Sequence, residues 1–193
     1  MGRGPMHCAV SLEGRFTMGR REWLARVLAL AVVTAPRTTG ASHHEAGQSL
    51  RPGEKVARLS RSKDEWRERL PPRAFRVLFE EDTEPPFTSP LNDEKRSGTY
   101  ICAACHLPLF SSKAKFESHT GWPSFYQPLP GRIDTKRDFI AFTERTEYHC
   151  KRCGGHQGHV FDDGPLPTRQ RWCNNGIALD FVLEGDPLPP LVT

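Results

Sequence analysis

Two pairs of closely spaced cysteines constrain this chain more than any other feature of its sequence. Cys102 pairs with Cys105 and Cys150 with Cys153, so each pair has the spacing CxxC. Two intervening residues let both sulfurs of a pair face one ion, and two such pairs complete a tetrahedral shell. We therefore predict one structural Zn²⁺ ion bound by all four cysteines. Two redox-active pairs or two disulfides are alternatives that a double set of CxxC pairs favours less.

Length and charge place the chain in a broad class. Its 193 residues suffice for one domain with a sizeable core and a leader. No apolar run approaches twenty residues, so we expect no membrane span. Six of the 27 Lys and Arg residues and two of the 23 Asp and Glu residues lie in the first 41 positions, which leaves the remainder formally neutral. The absence of net charge in this part of the chain argues against nucleic-acid binding. We separately expect the protein to be a monomer.

The first part of the chain, residues 1–45, has the layout of a removable leader. Arg20 and Arg21 precede an apolar stretch over 27–35, and a proline and small residues follow. Residues 18–41 thus resemble a twin-arginine signal, which predicts export to a bacterial periplasm. An organelle transit peptide is the alternative, and a cytoplasmic location also stays open.

A short helix is predicted where the domain begins. Residues 46–61 are polar and lack apolar periodicity, which is typical of a linker. Ser62 and Glu65 then have the spacing of a capping box. Trp66 and Leu70 follow on one face of the predicted helix, and two prolines end it.

Beyond this helix, frequent proline and glycine residues exclude long helical periods. We predict a mainly β domain over residues 62–183, built from antiparallel sheet after one or two short N-terminal helices, and a C-terminal tail over 184–193. The predicted strands are Thr99–Cys102, Ile133–Phe142, Glu144–Cys150, His159–Phe161 and Gln170–Phe181.

Cys173 is the thiol that remains once four cysteines are assigned to the metal and Cys8 to the leader. An unassigned thiol near histidines is a candidate nucleophile, although a buried inert cysteine is the alternative. Strand alternation would place Arg171, Cys173 and Asn175 on one face. A guanidinium there would favour the thiolate, and a side-chain amide would donate a hydrogen bond to it.

Other candidate residues lie in two glycine-containing segments. His156 and His159 stand among glycines, and either an imidazole or the Asp163 carboxylate is suited to proton donation. The two histidines are alternatively further metal ligands or scaffold. Trp122 follows a glycine and is either a core residue or an apolar platform for a methyl group bound to sulfur.

Several motifs occur in a fixed order from Ser62 to about Phe181. Together with the CxxC pairs they resemble the methionine-R-sulfoxide reductase B family, and the resemblance implies two antiparallel sheets with small peripheral helices. The motifs are Thr83–Thr88, Gly121–Phe125, Gly158–Pro165, and Arg171–Cys173 followed by Asn175.

The resemblance implies a thiol reaction on oxidised methionine in proteins. Cys173 would attack the sulfoxide sulfur, with Arg171 and Asn175 positioning it, and would become a sulfenic acid. Many family members carry a resolving cysteine, and one common location is just before the Gly-Trp-Pro motif, where this chain has Ser118–Thr120. We therefore expect an external reductant, such as a thioredoxin-like protein, to regenerate the thiol, and a cysteine of the CxxC pairs is the alternative.

The same resemblance assigns the remaining roles. His156, His159 and Asp163 would assist proton delivery to oxygen, while Trp122 and Phe161 would bind the substrate. The family usually has an apolar residue immediately after the nucleophile, where this chain has asparagine, so we expect altered packing behind the site. A zinc-binding interaction module without enzymatic activity is the competing hypothesis, because it needs only the four paired cysteines.

Overall fold

The structure is a computed structural model that describes residues 54–140 and 143–193. The predicted leader over residues 1–45 lies outside the described residues, so the leader and the predicted export stay predictions. Within the described part of the chain, no helix is long and apolar enough to cross a membrane.

Two short helices precede the β structure, as predicted. The first, α1 (Lys63–Arg69), begins at the expected capping box. The Ser62 hydroxyl accepts a hydrogen bond from the Glu65 amide, and the Glu65 carboxylate accepts one from the Ser62 amide. The second, α2 (Pro72–Glu80), has proline at its first position, where the missing amide hydrogen costs no helical hydrogen bond.

The rest of the domain forms two antiparallel sheets, which confirms the predicted fold class. The smaller sheet consists of β1 (Gly98–Cys102), β2 (Pro108–Ser111) and β9 (Leu179–Leu183), in the order β2-β1-β9. The larger sheet consists of β3 (Lys115–Phe116), β4 (Ser124–Phe125), β5 (Ile133–Ile140), β6 (Thr143–Cys150), β7 (His156–Phe161) and β8 (Arg171–Asn174), in the order β3-β4-β8-β7-β6-β5.

One predicted strand, Gln170–Phe181, is wrong. It is two strands in different sheets, β8 and β9, separated by a 3₁₀ turn at Gly176–Ala178. The buried Glu84 carboxylate accepts hydrogen bonds from the amides of Gly176 and Ile177, which satisfies both donors outside a sheet. This long-range contact ends the strand, and residues near in sequence give no sign of it.

The two sheets pack together through buried aromatic rings. Phe110 on β2 stacks on Phe125 of β4 with ring centroids 4.3 Å apart. Tyr100 on β1 contacts the same Phe125 at 4.9 Å, and Phe110 also contacts Tyr148 on β6 at 6.1 Å. Such contacts bury large apolar areas in favourable edge and offset geometries, so these rings form the centre of the core.

Phe110→Ala should destabilise the domain by about 3–5 kcal/mol, because it leaves a cavity between the sheets. Phe139→Ala is the matched control, since that ring is 66% exposed, and it should change stability by less than about 0.5 kcal/mol. Equilibrium unfolding in urea measures both changes. Equal effects of the two substitutions would contradict the role of Phe110 in joining the sheets.

Candidate functional site

The four paired cysteines meet at one point. The Sγ atoms of Cys102 and Cys153 are 3.6 Å apart, and those of Cys105 and Cys150 are 3.5 Å apart. All four sulfurs lie within 4.8 Å of one another. Zn–S bonds of about 2.3 Å in a tetrahedron place the sulfurs about 3.8 Å apart, so the donor set and its spacing fit a metal ion.

Both cysteine turns have the same backbone geometry. The His106 amide donates to the Cys102 carbonyl at 2.8 Å, and the Gly154 amide donates to the Cys150 carbonyl at 2.8 Å. His106 and Gly154 both adopt positive φ, at 62° and 76°. The Gln157 amide lies 3.6 Å from the Cys102 sulfur as a further donor. The chain thus presents its sulfurs from two equivalent turns.

The segments flanking the sheets cover these cysteine turns. The Leu59 amide donates to the Arg152 carbonyl at 2.7 Å, and the Val192 amide donates to the Cys105 carbonyl at 3.3 Å. The Arg152 guanidinium in turn donates to the Val192 carbonyl at 2.6 Å. Residues of the predicted linker and tail therefore contact the cysteine cluster directly.

Strand register places Cys173 in a row of polar residues across the larger sheet. Ser124 on β4 and His159 on β7 are its two cross-strand neighbours. His159 pairs in turn with Glu147 on β6, and Glu147 pairs with Lys136 on β5. Because directly opposed residues point to the same side of a sheet, this row lies on one face.

A cavity of about 130 Å³ opens beside this row. Five of the predicted site residues line it, whereas His156, Asp163 and Arg171 lie outside its lining. A larger cavity of about 500 Å³ lies between α2 and β9, and no cysteine lines it. The smaller cavity is lined by Thr83, Trp122, Arg145, Gly158, His159, Phe161, Cys173, Asn174 and Asn175.

Two glycines permit the close approaches that shape this cavity. A Cβ atom at Gly158 would lie 1.9 Å from the Cys173 carbonyl oxygen, so a side chain there would separate β7 from β8. A Cβ at Gly121, where φ is 93°, would lie 2.6 Å from a proline side chain. This turn holds Trp122, whose indole nitrogen donates to the Glu84 carbonyl at 3.0 Å.

Burial dominates the electrostatics of the candidate nucleophile. It raises the pKa of the Cys173 thiol, and the nearby Arg171 guanidinium and Thr120 hydroxyl offset only part of that increase. Arg171 forms two hydrogen bonds of 2.8 Å to Asp163 and lies 4.2 Å from the Phe161 ring centre. The guanidinium also holds the pKa of Asp163 below its usual value, so this carboxylate is ionised at neutral pH.

The two predicted histidines sit in separate carboxylate networks. His156 Nδ1 lies 2.6 Å from Glu147 Oε1, which is also 3.0 Å from His149 Nε2. His159 Nε2 lies 3.1 Å from Asp138 Oδ2. Burial lowers the pKa values of His156 and His159, so both imidazoles are neutral near pH 7.

The residues after Cys173 form a buried polar cluster. Asn174 accepts a hydrogen bond from the Tyr148 hydroxyl at 2.7 Å and donates to the Gln157 side chain at 3.4 Å. β8 ends at Asn174, so Asn175 does not continue the predicted alternation. Its side chain accepts from the Glu84 amide and donates to the Gln157 carbonyl. The asparagine pair therefore finds partners inside the core.

Sequence reasoning missed the charged residues on β5 and β6. Arg145 lines the cavity and donates to Asp138 at 2.8 Å, while Glu147 contacts His156 and Lys136. Lys136 and Asp138 on β5 are two residues apart, as are Arg145 and Glu147 on β6, which is the period of one sheet face. This spacing could have predicted a charged face on β5 and β6 from the sequence. Only the strand register shows that this is the face that carries Cys173.

Comparison with known protein families identifies the class of domain in this chain. The sequence profile of the SelR domain matches residues 70–183, more than half of the chain.

Named relatives then specify the family. Over 127 residues, the chain is 47% identical to the peptide methionine sulfoxide reductase MsrB of Leptospira interrogans, covering 65% of this chain and 97% of the relative. It is 48% identical over 128 residues to the MsrB of Pseudomonas putida, covering 65% and 96%. It is 40% identical over 156 residues to the chloroplastic peptide methionine sulfoxide reductase B1 of Arabidopsis thaliana, covering 76% and 77%. The chain belongs to the MsrB family, which confirms the predicted resemblance.

The electrostatics predict how Cys173 reacts with iodoacetamide. Because burial raises its pKa, the alkylation rate should rise with pH around a midpoint above about 8.5, the value for a free cysteine. Arg171→Met should raise this midpoint by about one unit or more, because the positive charge is lost. Arg137→Met, at an exposed arginine on β5, should leave it unchanged.

The measurement is the mass of the peptide containing Cys173 after timed alkylation at a series of pH values. A midpoint below that of free cysteine would show that Arg171, and not burial, dominates the ionisation of this thiol.

Proposed function

We propose that this chain reduces methionine-R-sulfoxide in oxidised proteins to methionine, with Cys173 as the nucleophile. The observation that carries the proposal is a thiol in the wall of a small cavity that two aromatic side chains and a neutral histidine also line. Membership of the MsrB family supports it, since the named relatives are peptide methionine sulfoxide reductases.

The reaction balances without any proton from solvent. The Cys173 sulfur attacks the sulfoxide sulfur, the S=O bond breaks, and the oxygen is transferred to form Cys–S–OH and methionine. A thiol supplies both the electron pair and the one hydrogen that the product hydroxyl needs. A nucleophile that rests protonated, as burial favours for Cys173, therefore carries the required proton into the step.

His159 is the group best placed to move that proton. It is the direct cross-strand neighbour of Cys173 and lines the cavity. A neutral imidazole accepts the thiol proton as sulfur attacks and returns it to the departing oxygen. His156 lies behind it, with ring centroids 5.5 Å apart, and is oriented by Glu147. We assign His156 the role of positioning His159 for this proton transfer.

Arg171 and Asp163 act as a pair in this proposal. The ionised Asp163 is unsuited to donate a proton at neutral pH, so its contribution is to fix the guanidinium beside the sulfur. The positive charge then stabilises the thiolate that forms during attack. Asn175 positions the end of β8 through its two backbone hydrogen bonds.

Trp122 and Phe161 supply the apolar surface for the substrate. Both line the cavity, and sulfur with its methyl group packs favourably on aromatic rings. Because Trp122 is held by the Glu84 carbonyl and Phe161 by the Arg171 guanidinium, these surfaces are ordered before substrate arrives.

Regeneration of Cys173 requires an external thiol reductant, such as a thioredoxin-like protein. Among the described cysteines, the other four lie in the cluster of paired sulfurs. Two external thiols would convert Cys–S–OH to Cys–SH and water while forming one disulfide.

We further propose that the paired cysteines bind one structural Zn²⁺ ion. Cys102, Cys105, Cys150 and Cys153 would hold it, and four protein ligands leave no position for substrate. Burial raises the pKa of the Cys150 thiol well above its usual value, so a thiolate there requires a nearby cation. The bound ion would act as a cross-link between β1 and β6.

Cys173→Ser should lower reduction of a peptide containing methionine-R-sulfoxide by at least about 10³-fold, because serine is a far weaker nucleophile. The assay follows methionine formation with dithiothreitol, and the S epimer should not react in either protein. Zinc content and thermal unfolding should match the unmodified protein. Undiminished turnover in the variant would exclude Cys173 as the nucleophile.

The unmodified protein tests the competing hypothesis in the same assay. A full complement of zinc together with no turnover of either epimer would support the zinc-binding interaction module and contradict the reductase.

Cys150→Ser should lose the metal and unfold at a lower temperature, because one missing ligand opens the shell and leaves buried thiols unpaired. Metal analysis should find about one zinc per chain in the unmodified protein and in Cys173→Ser. Equal zinc content in Cys150→Ser would contradict the four-cysteine site. The same chemical change at two cysteines thus separates metal binding from nucleophilic attack.

A further inference from the structure

A line of buried hydrogen bonds connects the cysteine cluster with the strand that carries Cys173. The Tyr148 hydroxyl donates to the Asn174 side-chain oxygen at 2.7 Å, and the Asn174 side-chain nitrogen donates to the Gln157 side-chain oxygen at 3.4 Å. The Gln157 side-chain nitrogen donates in turn to the Cys102 sulfur at 3.6 Å. Both amide side chains belong to residues with 0% exposure, so water does not compete for these contacts.

We propose that Gln157 is a positioning residue, whose side chain links the metal-binding Cys102 sulfur to Asn174, the residue that follows Cys173. The inference rests on the proposed function in taking the paired cysteines as a metal site and Cys173 as the reacting thiol. It also gives a role to Asn174, at the position where the family usually has an apolar residue.

The strand register shows why the Gln157 side chain faces the cysteine cluster. Tyr148 and His149 are adjacent on β6, but their partners on β7, Gly158 and His156, are two residues apart. Gln157 is therefore the extra residue of a β-bulge, a feature that redirects a side chain and is common beside active sites. Here the redirected side chain enters the core.

The same bulge brings two histidines to one face of the sheet. Side chains three residues apart in a regular strand lie on opposite faces. His156 and His159 nevertheless have ring centroids 5.5 Å apart, because the extra residue between them restores the alternation. Contacts that fix Gln157 in the bulge therefore also fix the face that His156 occupies.

A metal ion on the cysteines would set the direction of the whole line. A metal-bound thiolate has no hydrogen and only accepts, so the Gln157 amide must present its nitrogen to Cys102. Its oxygen then faces Asn174, which must present nitrogen in turn. That leaves the Asn174 oxygen for the Tyr148 hydroxyl and its second N–H for the Asn175 carbonyl at 2.8 Å. The opposite orientation would set oxygen against sulfur and nitrogen against nitrogen.

The backbone of Gln157 holds the next residue of the site. Its carbonyl accepts hydrogen bonds from the Asn175 backbone amide at 2.8 Å and from the Asn175 side chain at 3.2 Å. Gln157 thus contacts both residues that follow Cys173, Asn174 through its side chain and Asn175 through its backbone. Contacts of this kind orient metal ligands and connect them to the surrounding structure.

The first test loads the chain with Co²⁺, whose absorption includes a band from sulfur-to-metal charge transfer. A hydrogen bond lowers the energy of the thiolate electrons, so its loss should move this band to longer wavelength. Gln157→Met removes the donor at similar volume and should shift the band. Asn174→Leu should shift it in the same direction by less, because the Gln157 amide loses the contact that orients it.

The double variant Gln157→Met/Asn174→Leu should shift the band no further than Gln157→Met alone, since Asn174 acts on the sulfur only through Gln157. Gln127→Met, at an exposed glutamine, is the matched control and should leave the band unchanged. An unshifted band in either single variant, or shifts that add in the double variant, would overturn the proposal. An unmodified protein that binds no Co²⁺ would contradict the metal site itself, and the proposal with it.

A second measurement reads the other end of the line, at Cys173. Gln157→Met should speed alkylation by iodoacetamide on the zinc-loaded full chain by about two- to tenfold, as expected for one lost hydrogen bond at the end of β8. Asn174→Leu should also speed it, and the double variant should react no faster than the faster single variant. An unchanged rate in Gln157→Met, or rates that multiply in the double variant, would overturn the link to Cys173.

Alkylation needs no turnover, so this result is independent of whether the chain reduces sulfoxides. Loss of activity in Cys173→Ser tests that separate question.

A third measurement covers the case in which the variants do not fold, because it needs no substitution. In the unmodified chain loaded with ¹¹³Cd²⁺, a side-chain N–H of Gln157 should show nuclear spin coupling to the metal, transmitted through the Cys102 sulfur and the hydrogen bond. The chain loaded with ¹¹²Cd²⁺, which has no nuclear spin, is the control. Absence of the coupling in the ¹¹³Cd²⁺ protein would overturn the proposed contact.

Discussion

The meeting of two cysteine turns is the contact on which the rest of this structure depends. One turn follows β1 in the smaller sheet and the other follows β6 in the larger sheet, so the cluster joins both sheets at one end. Four sulfurs within 4.8 Å of one another, three of them on buried cysteines, are stable only with a cation or with most thiols protonated. The segments around Leu59 and Val192 add hydrogen bonds to the same turns, so the ends of the described domain are anchored there as well.

The candidate active site lies on the larger sheet, and its ionisable side chains are either neutral or paired with an opposite charge. Burial keeps Cys173 protonated and the two histidines neutral, while the ionised groups Asp163 and Asp138 are each paired with an arginine. A protonated thiol and a neutral imidazole are the states that partial burial favours for Cys173 and His159.

Prediction from the sequence succeeded where contacts are local. The capping box at Ser62 was found because its two hydrogen bonds join residues three apart. The mainly β fold was predicted from the frequent proline and glycine residues and from the short strand patterns between them. Prediction failed over Gln170–Phe181, where Glu84, far away in the chain, accepts the amide hydrogens that a continuous strand would have used. Five predicted site residues line the cavity, but Arg145 was missed because its role depends on strand register.

The sequence by itself determined the two cysteine pairs, the unassigned thiol and the family. These depend on residue types at short spacings, which are readable without coordinates. Only the tertiary structure decided which side chains surround Cys173. Cross-strand register brought His159 and Ser124 beside it, and the turn after Gly121 brought Trp122 into the same cavity. The same packing reduces the contact of the thiol with water, and this partial desolvation is the largest influence on whether Cys173 rests as a thiol or a thiolate.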